Sequence, residues 1–227
     1  MTRLLGTLLL TASVSLAQSG FPFSDETLRY TVNWPSGLGI GEGSTQARKS
    51  GERWDFEFTL QAGIPGFAVQ DTYRSVSTPD LCSLEFHKNA VHGRRKARER
   101  TVFDVQSGIA LRTTESGGKS EIPMGECTRD ALAFLFHTRR ELGQGRVPPP
   151  QAVLFGALYD VRLEYAGAQT ITIQERKVES DRLLGTIRGP ASDHTFEIFF
   201  ARDAARTPLR VSVPLAGGSF TLDLVRQ

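Results

Sequence analysis

The chain has 227 residues, with 27 Lys+Arg against 25 Asp+Glu. A formal net charge of +2 lacks the basic excess of a dedicated nucleic-acid binder, so no nucleic-acid partner is expected. This length buries a sizeable core without needing cross-links.

The first element is an export signal. Arg3 is the only charged residue before Asp25, and Leu4 to Val14 form an apolar run behind it. Ser15-Leu16-Ala17 supplies the small-x-small pattern that a signal peptidase reads, so residues 1–17 are predicted to be removed by cleavage between Ala17 and Gln18. The run is shorter than the about 20 apolar residues a spanning helix needs, so no transmembrane segment is expected after its removal. No cysteine lies near the cleavage site, which sets the segment apart from that of a lipid-anchored protein. The expected product is a periplasmic or secreted chain of near-neutral charge, one β-rich domain over residues 18–227.

Period-two alternation follows. Leu28, Tyr30, Val32 and Trp34 alternate with polar neighbours, and so do Trp54, Phe56, Phe58 and Leu60. Cys82 comes after Pro79-Asp80-Leu81, at a turn entering a strand, and Cys127 stands just ahead of a helix. In an exported chain an even cysteine count favours a bridge, so a Cys82–Cys127 disulfide is expected. The helix is predicted over Arg129–Leu142. Thr128 is read as its cap, Asp130 lies in its first turn, Leu132, Leu135, Phe136 and Leu142 share one face, and Gly143 is the stop. Alternation resumes at Val161-Leu163-Tyr165, Ile171-Ile173, Val211-Val213 and Phe220-Leu222-Leu224. Ser50-Gly51, Gln106-Ser107-Gly108, Ser116-Gly117-Gly118, Ala166-Gly167, Gly189-Pro190 and Ala216-Gly217-Gly218 are read as the turns between strands. Short spacings require antiparallel hairpins. The fold class is therefore mainly β: a strongly curved antiparallel sheet or an open β-barrel with one packed α-helix.

Three stretches carry a family resemblance: residues 28–43 with their glycines, the helix Asp130 to Arg139, and Phe199 to Val211 with Gly217 to Leu224. The chain resembles the bacterial family called domain of unknown function 3108. That resemblance implies an exported, mainly-β envelope protein and supplies no catalytic residues.

The residues name no chemistry by themselves. There is no Gly-x-Ser-x-Gly elbow and no cofactor motif, so no enzyme activity and no cofactor are expected. His87 and His92 lie five apart without a completing ligand set, so no metal site is expected; His137 reads as a packed or half-exposed helix residue, and His194 joins no pattern. Asp203 and Arg206 flank a turn and are expected to form a surface ion pair. The basic run Arg94 to Arg100 is read first as a solvated strand that discourages edge aggregation, and second as an attractor of anionic envelope groups. Phe56, Phe58, Phe67, Phe196, Phe199, Phe200 and Phe220 form either a β core or a concave apolar face for an acyl chain. Arg139 and Arg140 at the helix end are read as solvated dipole partners, with the alternative of holding an anionic head group. Three functions follow: binding of a lipid-like ligand or an envelope partner on a curved sheet, assembly through a long unpaired strand edge, or a hydrolase cleft.

Overall fold

The computed structural model describes residues 25–64, 66–190, 193–215 and 218–225. The predicted signal segment and its Ala17/Gln18 cleavage site lie outside the described residues. The strands are β1 (Glu26–Asn33), β2 (Gly39–Ser50), β3 (Arg53–Ile64), β4 (Phe67–Ser77), β5 (Ser83–His92), β6 (Arg95–Asp104), β7 (Ile109–Thr114), β8 (Lys119–Pro123) and β9 (Arg129–Asp130). After helix α1 (Ala131–Gly143) come β10 (Gln151–Leu154), β11 (Leu158–Ile173), β12 (Arg176–Arg188), β13 (Asp193–Ala201), β14 (Pro208–Leu215) and β15 (Gly218–Val225).

All of these strands join one sheet in the order β8-β7-β6-β5-β4-β3-β2-β1-β15-β14-β13-β12-β11-β10-β9. Hairpin neighbours pair antiparallel, as short loops require; β9 and β10, separated by the helix, pair parallel. The sheet is open, and its two arms curl toward each other. Ser83 at the start of β5 donates its backbone N–H to the Thr128 carbonyl at 3.1 Å, just before the far edge strand β9. Phe155, between β10 and β11, packs on Tyr73 of β4 at 5.1 Å and Phe86 of β5 at 5.8 Å between ring centroids. The helix lies inside this curl.

The alternation places Trp54 and Phe56 inward and buried, with Asp55 and Glu57 on the other side. Phe56 stacks on Phe136 of the helix at 4.0 Å. Ala166-Gly167 departs from its predicted turn. It is a bulge within the 16-residue strand β11, where the register shifts between Tyr165 and Ala168 and Gly167 takes a φ of 100°. An inserted residue left unpaired bends a strand without ending its ladder, so the β11–β12 hairpin is long and its far half brings Ile171 and Ile173 against Phe199 and Leu209.

The helix cap also departs from the sequence reading. Asp130 is the N-cap, accepting from the Leu132 and Ala133 amides, and the helix starts at Ala131. The Thr128 hydroxyl is engaged upstream with the Gly125 backbone. Gly143 is the last helical residue; the left-handed conformation after the helix falls on Gly145, at φ 75°.

Cys82 and Cys127 are joined by a disulfide, with Cα atoms 4.8 Å apart and a sequence separation of 45. It ties the β4–β5 turn to the segment that enters the helix. Replacing both cysteines by serine is expected to lower stability by about 3 kcal/mol, mainly by releasing the unfolded chain. Urea unfolding of the double variant against the oxidised parent measures the loss. Equal midpoints would show that the bridge closes a loop already restrained in the unfolded chain.

Candidate functional site

The inward face divides into a filled end and an open end. At the filled end, helix α1 covers Ala47, Trp54, Phe56, Phe86 and Phe103 with Leu132 and Phe136. On the other arm, Phe134 and Leu142 meet Val153, Val161, Leu183, Ile198 and Phe200. Further along the same strands, every second residue stays inward and is only half-buried: Phe58 and Leu60 on β3, Ile187 on β12, Phe196 on β13, Val211 on β14 and Leu222 on β15. Gly185 sits opposite Phe196, and a Cβ there would lie 2.1 Å from the Phe196 ring, so the glycine lets that ring lie flat on the strand.

On the same face, polar residues border this apolar row from β4 to β7. Asp71, itself buried, accepts from the Tyr73 hydroxyl at 2.8 Å and pairs with His92 Nε2 at 2.9 Å. Arg112 donates to Glu99 at 2.8 Å, and Lys88 lies over the Phe155 ring at 4.7 Å. Burial raises the Tyr73 hydroxyl well above its usual value, with Asp71 adding to the effect, so Tyr73 stays a donor. The Arg112 guanidinium, more than the nearby Lys88, holds Glu99 below the usual carboxylate range. The concave face thus offers apolar side chains on one side and fixed charges on the other.

The predicted site residues are dispersed. His87 and His92 stand on opposite faces of β5, because five is an odd spacing on a strand of period two; His87 faces outward and pairs with Glu85 at 2.5 Å. Among the described residues, no group of three His, Cys, Asp or Glu is placed to hold a metal ion. Arg98 and Arg100 of the basic run lie on the outer face, each held by a carboxylate, Glu115 at 2.7 Å and Glu85 at 2.6 Å. Phe56, Phe199 and Phe200 are core, Phe58 and Phe196 are on the concave wall, and Phe67 and Phe220 are at hairpin ends.

Three expectations are corrected. Arg139 is not solvated: its side chain is fully buried and forms a bidentate pair with Glu26 at 2.7 and 2.9 Å. Arg140 instead donates to the Asp80 carbonyl at 3.2 Å and to His137 Nδ1 at 3.3 Å. Asp203 and Arg206 do not pair through their side chains. Asp203 accepts from the Thr207 amide and hydroxyl, while Arg206 reaches Asp181 at 2.7 Å. Asp181 is buried and also accepts from Tyr165 and Arg202, so a carboxylate across the sheet outcompetes the turn neighbour.

His137 is buried on the helix, and its pKa is pushed down to about 4, first by burial and then by Arg129 and Arg140. The unfolded histidine takes up its proton at an ordinary value near 6.5. The stability that His137 contributes is therefore present above about pH 6.5 and is lost as pH falls toward 4, by about 3 kcal/mol. Burial raises the Asp130 carboxyl, which gives a slope of the opposite sign, so the readout is the difference between the parent and His137→Gln. Urea midpoints of the parent are expected to fall more steeply between pH 7 and 4 than those of the variant. Parallel curves would show that His137 is protonated in the folded protein.

The two-armed open sheet with an enclosed helix defines the chain as a β-barrel-like protein. It belongs to the family described as "Protein of unknown function (DUF3108)", whose model matches residues 29–225. A crystal structure of a β-barrel-like protein of domain of unknown function DUF1849 from Brucella abortus shares the fold, with TM-score 0.62 and 7% identity over 89% of this chain and 96% of that one. The Mycobacterium tuberculosis lipoprotein LppX aligns at 15% identity over 88% of this chain and 84% of that one, with a TM-score of 0.28, too low to carry a comparison of folds. No curated protein matches the sequence.

Proposed function

We propose that this is an exported envelope protein that binds an apolar or amphipathic, lipid-like ligand on the concave face, without catalysing a reaction and without a cofactor. Export rests on the Leu4–Val14 run and Ser15-Leu16-Ala17, and an internal disulfide fits an oxidising compartment. The observation that carries the binding reading is the half-buried row Phe58, Leu60, Ile187, Phe196, Val211 and Leu222, on the same face as the charged side chains of Lys88, Glu99 and Arg112. Apolar area removed from water there favours binding by about 25 cal/mol per Å², and the charged side chains give a polar head something to meet.

The edge-assembly reading has less support. Edge strand β8 has only 5 residues, carries Lys119, Glu121 and Pro123, and is largely exposed; edge strand β9 has 2 residues. Short, charged, proline-bearing edges discourage strand addition. Among the described residues, no helix is long and apolar enough to cross a membrane.

Saturable binding of a fluorescent long-chain fatty acid is the test, with native mass spectrometry of protein taken from its own envelope to identify a bound lipid. Leu60→Glu and Ile187→Glu are expected to weaken uptake about tenfold or more while the fold persists. Uptake that is absent in the parent, or unchanged in both variants, would remove the concave face as the site.

A further inference from the structure

The two ends of the sheet differ in the chemistry of their central hairpins. At the end where the helix begins, the hairpins carry charge: Lys49, Glu52 and Arg53 at the β2–β3 hairpin, Glu175 and Arg176 at the β11–β12 hairpin, and Arg202, Asp203 and Arg206 between β13 and β14. The opposite end holds the β1–β2, β3–β4, β5–β6 and β14–β15 hairpins, neighbours in the sheet order, and, farther out on the two arms, the β7–β8 and β12–β13 hairpins, which carry Glu115 and Lys119, and Arg188 and Asp193. Residues 33–41, 58–70 and 211–222, which form three of the four central hairpins, contain no ionisable side chain. Strand hairpins in water are ordinarily tipped with polar residues, so three neighbouring uncharged tips call for a partner.

Large apolar side chains stand exposed there. Leu38 is 67% exposed, Phe67 47% and Trp34 36%. The tips meet in two pairs, β1–β2 with β14–β15 and β3–β4 with β5–β6. Trp34 meets Phe220 edge-on at 4.7 Å, a Cβ on Gly218 would lie 2.6 Å from Pro35, and a Cβ on Gly93 would lie 3.1 Å from the Phe67 ring. The fourth hairpin adds Arg94, Arg95 and Lys96, all exposed and, among the described residues, without an ion-pair partner. An open depression of about 860 Å³ between the β3–β4 and β5–β6 tips is lined by Phe67, His92, Arg94 and Arg95, among others, so apolar and cationic groups border the same space.

We propose that this end of the sheet docks on an anionic phospholipid bilayer. Trp34, Leu38 and Phe67 enter the boundary between head groups and acyl chains, and Arg94, Arg95 and Lys96 bind lipid phosphates. Tryptophan favours that boundary because its ring is apolar and its N–H is polar, and arginine matches phosphate geometry. Uncharged tips can enter without desolvating an ion, whereas the charged tips of the other end cannot. The docking requires no ligand on the concave face. It brings the open end of that face to the membrane.

Sedimentation with vesicles tests it, using the protein from Gln18 onward because residues 1–17 are themselves apolar. Binding is expected to vesicles of equal parts phosphatidylethanolamine and phosphatidylglycerol, and to be much weaker to phosphatidylcholine alone or at high salt. Leu38→Asp combined with Phe67→Asp is expected to reduce binding about tenfold or more, and Arg94→Glu with Arg95→Glu to abolish the preference for phosphatidylglycerol. Leu38 lies in the β1–β2 turn and Phe67 is the first residue of β4, both exposed, and circular dichroism checks that the fold is kept. The chain has two tryptophans, and Trp54 is 5% exposed, so a blue shift on vesicle addition reports Trp34. Failure to sediment with anionic vesicles overturns the proposal, as does undiminished binding by the Leu38/Phe67 variant. A concentration-dependent dimer that shields Trp34 without lipid also overturns it, by making this end a subunit interface.

Discussion

Asp130→Ala is expected to destabilise the protein by about 5 kcal/mol. One carboxylate oxygen accepts from the Ser75 and Ser83 hydroxyls, both at 2.6 Å, and the other from the Leu132 and Ala133 amides at 2.9 and 3.1 Å. Its own amide donates to Ser83 Oγ at 2.7 Å. The residue has no exposed surface, so water cannot replace these acceptors when the side chain is truncated. Losing a helix cap costs about 1 kcal/mol, and stranding buried donors costs about 1–3 kcal/mol for each that stays unpaired. Asp130→Asn keeps an acceptor for the helix amides but turns a donor toward the two serines, so about half the loss is expected. Urea midpoints measure both variants. A loss under 1 kcal/mol for Asp130→Ala would mean that the serines find other acceptors and that the cap is not the anchor of the helix.

Glu26→Ala is expected to cost about 4 kcal/mol, because it leaves a guanidinium enclosed without its counter-charge. Arg139 is the largest fully buried side chain, with its Nε on the Ala205 carbonyl at 3.1 Å and its guanidinium 5.1 Å from the Phe136 ring centre. It joins β1, the helix and the β13–β14 turn. A paired replacement, Glu26→Leu with Arg139→Met, is expected to recover most of the loss, since both charges leave the interior together. Thermal unfolding of the single and double variants closes the cycle. Equal losses in Glu26→Ala and in the double variant would show that shape at this position matters and the charge pair does not.

Much of the fold was legible locally. Alternation at Leu28-Tyr30-Val32 and Trp54-Phe56-Phe58 reads as strand because side chains on a strand change face at every residue, and glycine at positive φ, as at Gly51 and Gly108, marks where the chain turns. The helix was legible for the matching reason at period 3.6. Its cap was not, because Thr128 and Asp130 are both competent caps, and the choice was made by Ser75 and Ser83, which approach from β4 and β5. Phe199 and Phe200 are consecutive, so alternation alone would leave one of them wet. Both are buried because the far half of the β11–β12 hairpin covers the outer side.

The uncharged hairpin tips are written in the sequence at residues 33–41, 58–70 and 211–222, but nothing local says that they meet. Pairing of β1 with β15 brings the first and last hairpins together at one end. The same holds for charge. Composition fixed a near-neutral chain, whereas the partner of each buried ion was decided by pairings across the fold, such as Arg139 with Glu26 at a separation of 113 residues. Backbone periodicity and turn chemistry are short-range steric properties that a sequence states for itself. Burial, and with it the choice of a charge's partner or of the surface left exposed, depends on which distant segments are brought into contact, and that was decided only when the sheet curled around the helix.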